Sequence, residues 1–273
     1  MDLDRAVTAT IAYATFFRFP LFPDEIYHWL ISPRRVSLAK LRPHLSRSLS
    51  PSEERFRKLT TRYTVEKISH AQKLVGILKY FPGLRLIALT GSVAARNPQK
   101  NDDIDLMFIT SPHTLWLIRP FVIGLISLFF RRRHPEESHA HAPNAFCPNL
   151  WLDGTSLSIP DFQRSLYTAH EVLQIVPLLD RGDTYQHFIQ ANRWTNQYLA
   201  NAYAAITGGK TLNSVSTGLF VLFFPLNYLF YLLQLFYMSP KKTSEVVHLH
   251  GAFLHTTDFS SKLDTHLKSL NNI

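Results

Sequence analysis

The sequence predicts an α+β protein on three observations: apolar residues recur at helical spacing through the first eighty positions, the period changes at two short apolar runs, and helical patterning returns in the last third. Residues 4–17 read as a helix ended by the turn around Pro20 and Pro23. Asp24 is placed to cap a second helix, Asp24 to Leu30, and VSLAKLRPHL, Val36 to Leu45, supplies a third with Lys40 and Arg42 exposed. From Pro51 to Tyr80, Val65, Ile68, Leu74 and Ile77 mark the apolar face of one long helix. LRLIALT, closed by Gly91, and IDLMFIT, closed by Pro112, have the length of buried strands. Residues Thr114 to Phe130 then read as a helix, FCPNLWLD, Phe146 to Asp153, as the next strand, and LYTAHEVLQIVPLL, Leu166 to Leu179, as helical again. The expected organisation is a helical module at 1–50, a connecting helix at 51–81, a sheet-bearing core at 82–160 and a helical region at 161–273.

Bulk properties set limits on function. At 273 residues with 46% hydrophobic content the chain can bury a substantial core, which excludes a disordered chain. A formal charge of +9 favours polyanionic company, whether nucleotide, nucleic acid or an anionic membrane surface. The single cysteine, Cys147, excludes an internal disulfide framework and suits a reducing compartment; by itself it reads as a small buried apolar residue. The first residues begin with acids and lack a basic flank and cleavage site, so a cytoplasmic location is expected. The three short N-terminal helices, with a basic third one, resemble a winged-helix or helix-turn-helix module, and that resemblance admits DNA as a partner.

The chemistry concentrates in LTGSVAARNPQKNDDIDL, Leu89 to Leu106. Residues i and i+2 of a strand share a face, so Asp103 and Asp105 project side by side while Ile104 turns away. Two adjacent carboxylates on an apolar sheet repel unless positive charge lies between them. A divalent cation supplies it, and Mg²⁺ is commonly held by one or two carboxylates together with substrate phosphates. Gly91 and Ser92, at the end of the preceding strand, allow close backbone approach to such a ligand.

The spacing of Thr90-Gly91-Ser92 and Asp103-Ile104-Asp105-Leu106 resembles the signature of the DNA polymerase beta-like nucleotidyltransferase superfamily. The helical N-terminus and the stretches FCPNLWL, LYTAHEVLQIVPL and FIQANRW are also similar to a group of uncharacterised bacterial and archaeal predicted nucleotidyltransferases. The resemblance implies a small mixed sheet with flanking helices, a nucleoside triphosphate (NTP) as donor, and Mg²⁺ or Mn²⁺. It implies that Gly91 and Ser92 bind the triphosphate and that Asp103 and Asp105 are catalytic metal ligands. Members of that superfamily usually offer a third carboxylate on a later strand. Here that position aligns with Asn149, which can ligate a metal through its carbonyl oxygen but cannot act as a base, and Asp153 is the nearest carboxylate to serve as third catalytic acid. The expected activity is transfer of a nucleoside monophosphate to an unidentified hydroxyl acceptor, which is a small molecule, a protein or a nucleic acid. The alternative is a weak or inactive nucleotide-binding module with a DNA-binding or antitoxin-like regulatory role.

The remaining features carry less. Leu115 to Phe130, with Arg119 and Pro120 inside it, reads as a helix behind the sheet. Gly218 to Met238 has no charge and the length of a membrane span, and reads as a buried or interface helix in preference to the alternative of a membrane span, with peripheral membrane contact open. Arg131 to Arg133 are a solvated helix end or a phosphate patch. The pairs His139/His141 and His248/His250 have metal-pair spacing but no accompanying acids, and read as loop histidines. His170 with Glu171 either faces the nucleotide or lies at the surface, and Asn192, Arg193 and Trp194 either meet a base or pack a helix.

Overall fold

The computed structural model describes residues 2–45, 48–134, 137, 142–208, 218–241, 245–254 and 259–271. His139 and His141 lie outside the described residues. Six strands, β1 (Leu84–Leu89), β2 (Ile104–Thr110), β3 (Phe146–Asp153), β4 (Val176–Asp180), β5 (Val246–His248) and β6 (Gly251–Phe253), form one mixed sheet in the order β4-β1-β2-β3-β6-β5. Only the β2–β3 pair is parallel. The crossover between those two strands is α6 (Leu115–Phe129), as a parallel connection demands.

Both faces of the sheet are covered, which explains why β1 and β2 read as continuous apolar runs rather than alternating ones. On one side Ile104, Leu106 and Phe108 meet α4 (Pro51–Leu78) and α6 through Leu74, Leu78, Trp116 and Val122. On the other, Met107 and Ile109 meet α7 (Leu166–Gln174) and α8 (Thr184–Ala191) through Ala169, Leu173, Phe188 and Ile189.

The long helix begins with a capping box. Ser50 accepts from the Glu53 N–H, Glu53 accepts from the Ser50 N–H, and Pro51 takes a first-turn position where its missing N–H costs nothing. Its buried stripe is only partly the one expected: Leu74 is buried and Ile68 packs on the core, but Val65 and Ile77 are exposed while Thr60, Thr64, Lys67, Ala71 and Leu78 are buried. The helix is therefore held partly by polar contacts.

The region after residue 160 is not wholly helical, contrary to expectation, since β4, β5 and β6 join the sheet from it. The expected helix Leu166–Leu179 ends at Gln174, and Val176–Asp180 pairs antiparallel with β1. Pro177 is the reason: proline inside a helix removes a hydrogen bond and clashes with the preceding turn, whereas a sheet edge tolerates it.

The N-terminal helices α1 (Leu3–Phe16), α2 (Pro23–His28) and α3 (Leu38–Leu41) share a small core of Val7, Ile26, Leu30 and Leu41. The third is a single turn prolonged by a 3₁₀ turn at Arg42–His44, with Lys40 and Arg42 exposed as expected. The module is tied to α9 (Ala200–Thr207): the Asn201 side chain accepts from the Val36 N–H and donates to the Tyr27 carbonyl. It is tied to α4 by Arg57, whose guanidinium binds the Glu25 carboxylate and lies 3.9 Å over the Phe19 ring.

The apolar segment 218–238 is a 3₁₀ turn, Gly218–Phe223, followed by α10 (Phe224–Met238). It is not buried as one alternative had it. Asn227 and Gln234 fasten one side of α10 to the backbone at Trp116, while Leu229, Leu233 and Phe236 on the outer side are exposed. By length and composition this is the one helix among the described residues able to cross a membrane.

Candidate active site

Asp103 and Asp105 flank Ile104 at the start of β2, and Ile104 is buried in the opposite core, so the two carboxylates share a face. Cys147 pairs with Asp105 across the parallel ladder. The ligating atoms of Asp103, Asp105 and Cys147 lie within 4.8 Å of one another, the one such group among the described residues. Burial, and then the charge of Asp105, push the Cys147 thiol well above its ordinary range, so it stays protonated and donates to Asp105. The expectation of a small buried residue is met, but its neighbours are the acids.

A bulge sets the next residue. Leu106 pairs with Pro148 and Met107 with Leu150, which leaves Asn149 as the extra residue of β3. Pro148 has no N–H to give the ladder, and this favours the break there. Asn149 consequently reaches Asp105, donating from Nδ2 to Oδ1 at 2.6 Å, and its own Oδ1 is buried without a partner.

Gly91 closes the site from β1. Its φ is +60°, and a Cβ there would sit 2.4 Å from Asp105 Oδ2. Only glycine supplies both the left-handed backbone and the room. The Thr90 N–H donates to the Asp105 carbonyl, and the Ser92 hydroxyl donates to Asp102 at 3.2 Å, holding the loop that carries the acids. From below, the buried Lys67 ammonium donates to the Asp102 carbonyl at 2.6 Å and to Asn144 Oδ1 at 3.0 Å.

Asp153 is not brought to this cluster. It lies at the other end of β3, roughly 20 Å along the strand from Cys147. There it accepts from the backbone N–H groups of His113, Thr114 and Thr155 and from the Thr155 hydroxyl. It is fully buried at the N-terminus of α6, where a carboxylate satisfies free N–H groups and suits the helix dipole. The expectation that Asp153 supplies the third acid is corrected: its charge belongs to the fold.

Arg133 was not singled out from its neighbours by sequence reasoning. The run Arg131–Arg133 is zipped to the start of β3 by the Arg133 N–H to the Phe146 carbonyl and the Phe146 N–H to the Arg131 carbonyl. Its third member is thereby half-buried with Nε 3.1 Å from Asp103 Oδ2. Neither a solvated helix end nor spacing in the sequence signals this pairing, which depends on a strand that begins at Phe146, well beyond the acids. Asn192 and Trp194 pack rather than line a site: the Asn192 amide bonds the backbone of Ile159, Leu157 and Phe188 and accepts from the Trp194 indole. His250 meets the Thr155 hydroxyl at the β5–β6 turn, and among the described residues no metal group forms around it and His248.

The cluster opens into a cavity of about 1100 Å³, walled by α1, α2 and α7 opposite the sheet. That is at or above the upper end of small-molecule sites, with room for more than one ligand. Four polar groups buried in its wall make no hydrogen bond: Thr90 Oγ1, Asn97 Oδ1, Asn149 Oδ1 and both ring nitrogens of His170. Buried polar atoms are rarely left so, and their convergence on one cavity marks a place for a polar ligand. His170 stacks on Tyr13 with centroids 3.8 Å apart, and burial lowers its pKa to about 3, so the ring is neutral. Glu171, beside it on α7, is pushed up by burial to about 7.

Compared with family models, with curated proteins and with solved structures, the chain matches none.

Proposed function

We propose that the protein is a divalent-metal-dependent nucleotidyltransferase of the DNA polymerase beta-like kind, moving a nucleoside monophosphate from a triphosphate to a hydroxyl acceptor. One observation carries the reading: Asp103, Asp105 and the unpartnered Asn149 carbonyl oxygen converge beside Gly91, at the mouth of a cavity large enough for two substrates. The set fits Mg²⁺ or Mn²⁺, since it offers hard oxygens while the thiol between them stays protonated. When bound, the cation polarises the phosphates and neutralises the charge of the departing pyrophosphate. The chain's own part is positional. Gly91 lets the backbone run against Asp105, Asn149 fixes the Asp105 carboxylate, Ser92 holds Asp102 in the preceding loop, and α1 and α7 wall off water.

A second reading is favoured by Arg133. An arginine already compensating Asp103, with an amide at the third ligand position, suits a module that binds nucleotide and turns over slowly or not at all. Its exposed Lys40 and Arg42 would then serve a DNA-binding regulatory role.

Incubation with labelled triphosphates, Mn²⁺ and cell extract separates the two. Transfer of label by the native protein and its loss in the Asp103→Ala, Asp105→Ala double variant support the enzyme. Triphosphate binding without pyrophosphate release, in every combination of nucleotide and metal, supports the binding module.

A further inference from the structure

On the nucleotidyltransferase reading, the site lacks a base: Asn149 stands where a third carboxylate is expected, and Asp153 is committed to α6. We propose that Glu171, on α7 across the cavity, is the general base that accepts the proton of the acceptor hydroxyl.

The cavity is lined by six carboxylates, and five are engaged or open to water. Asp24 is exposed, Glu25 binds Arg57, Asp102 accepts from Ser92 and Gln99, Asp103 pairs with Arg133, and Asp105 accepts from Asn149. Glu171 alone makes no hydrogen bond or ion pair among the described residues. It lines the same cavity as the acids. Val176 pairs with Leu89, two residues before Gly91, and Glu171 is less than one turn back from the end of α7 at Gln174. Tyr167 shares the helix face of Glu171 at i,i+4, and its hydroxyl is raised by burial and then by the charges of Glu171, Tyr13 and Asp105, so one side chain senses both sides of the cavity. The orphaned ring of His170, only 2% exposed, shows independently that this wall is built to meet a polar ligand.

Tyr13 of α1 and Tyr167 of α7 are the titratable groups whose hydroxyls the charge of Glu171 raises, and the cations lining the same cavity are Arg96, Arg133 and Arg164. No charge offsets the burial of Glu171, which alone raises its titration to near neutrality, where a base is most effective. In the step, the Glu171 carboxylate takes the proton from the acceptor O–H and the oxygen bonds to the α-phosphorus. The bond from that phosphorus to the bridging oxygen breaks, and its electron pair leaves on pyrophosphate. Glutamic acid then returns its proton to water.

The test uses the full-length protein with triphosphate, Mn²⁺ and the acceptor fraction of cell extract. Glu171→Gln is expected to lower kcat by about 10²–10⁴-fold, to leave KM and calorimetric triphosphate affinity unchanged, and to abolish the fall of kcat/KM below pH ~7. Added formate should partly restore Glu171→Ala, a rescue no purely structural role would give, and this arm stands if the glutamine variant folds poorly. A folded Glu171→Gln within a few-fold of the native kcat, or one that raises KM alone, overturns the assignment while the enzyme reading survives. A native protein that binds triphosphate and never releases pyrophosphate overturns both.

Discussion

At the residue scale the site depends on two positions where size, rather than charge, decides. Asp105 is locked by an amide on one side and by a glycine on the other, so its carboxylate has one orientation. Gly91→Ala places a methyl group within 2.4 Å of Asp105 Oδ2 on a backbone of φ +60°. Left-handed backbone costs an alanine about 1–2 kcal/mol before the clash is counted. The variant is therefore expected to lose at least tenfold in Mn²⁺ affinity by calorimetry and to unfold at lower denaturant; native-like Mn²⁺ binding would contradict the close approach. The glycine, serine and acid pair were readable in the sequence because their spacing reflects a turn between adjacent strands. The pairing of Arg133 was not, and Glu171 was left between the nucleotide and the surface, because each arrives from a distant element and no local pattern records where a side chain ends up.

At the scale of elements, the loop bearing the acids is held by a helix whose buried stripe is partly polar. Lys67 is 1% exposed, and burial lowers its pKa although the charge of Asp102 opposes the shift. Replacing it by methionine keeps the volume and removes donors to Asp102 and Asn144, leaving buried acceptors unpaired at a cost of about 2–3 kcal/mol. The expected outcome for Lys67→Met is that fall in denaturant stability together with faster hydrogen exchange in residues 97–103; unchanged exchange would show that Lys67 does not order the loop. Strands β1 to β3 and helices α4 and α6 were legible within a residue or two, since their apolar periods are long. The stripe of α4 was misjudged because periodicity counts apolar residues, and here threonines and a lysine take the buried face.

For the whole molecule, the cavity lies between the N-terminal helices and the sheet, so groups buried in it couple stability to pH. His170 binds its proton far less well when folded, with a pKa of about 3 against 6.5. Its contribution is present above pH ~6.5 and is lost as pH falls toward 3, and its burial makes that loss several kcal/mol. Glu171 acts in the other direction. Its folded pKa of about 7 lies above the ordinary 4.5, so stability is highest below 4.5 and declines as pH rises through 7. Glu171→Gln should therefore gain on the native protein between pH 4.5 and 7 in chemical denaturation, while His170→Gln should flatten the acid limb below 6.5. Parallel curves for all three proteins would place both side chains in water.

Local sequence determined that an apolar two-strand unit carries Gly91, Ser92, Asp103 and Asp105 on one edge, because strand period and turn residues act over a few positions. Tertiary structure alone decided which charges share that edge. Parallel pairing of β2 with β3 delivers Cys147, Asn149 and, through the preceding loop, Arg133, while Pro177 turns the chain so that β4 carries α7 and Glu171 to the opposite wall. Burial follows from such packing, and burial is what makes a histidine neutral and a glutamate basic.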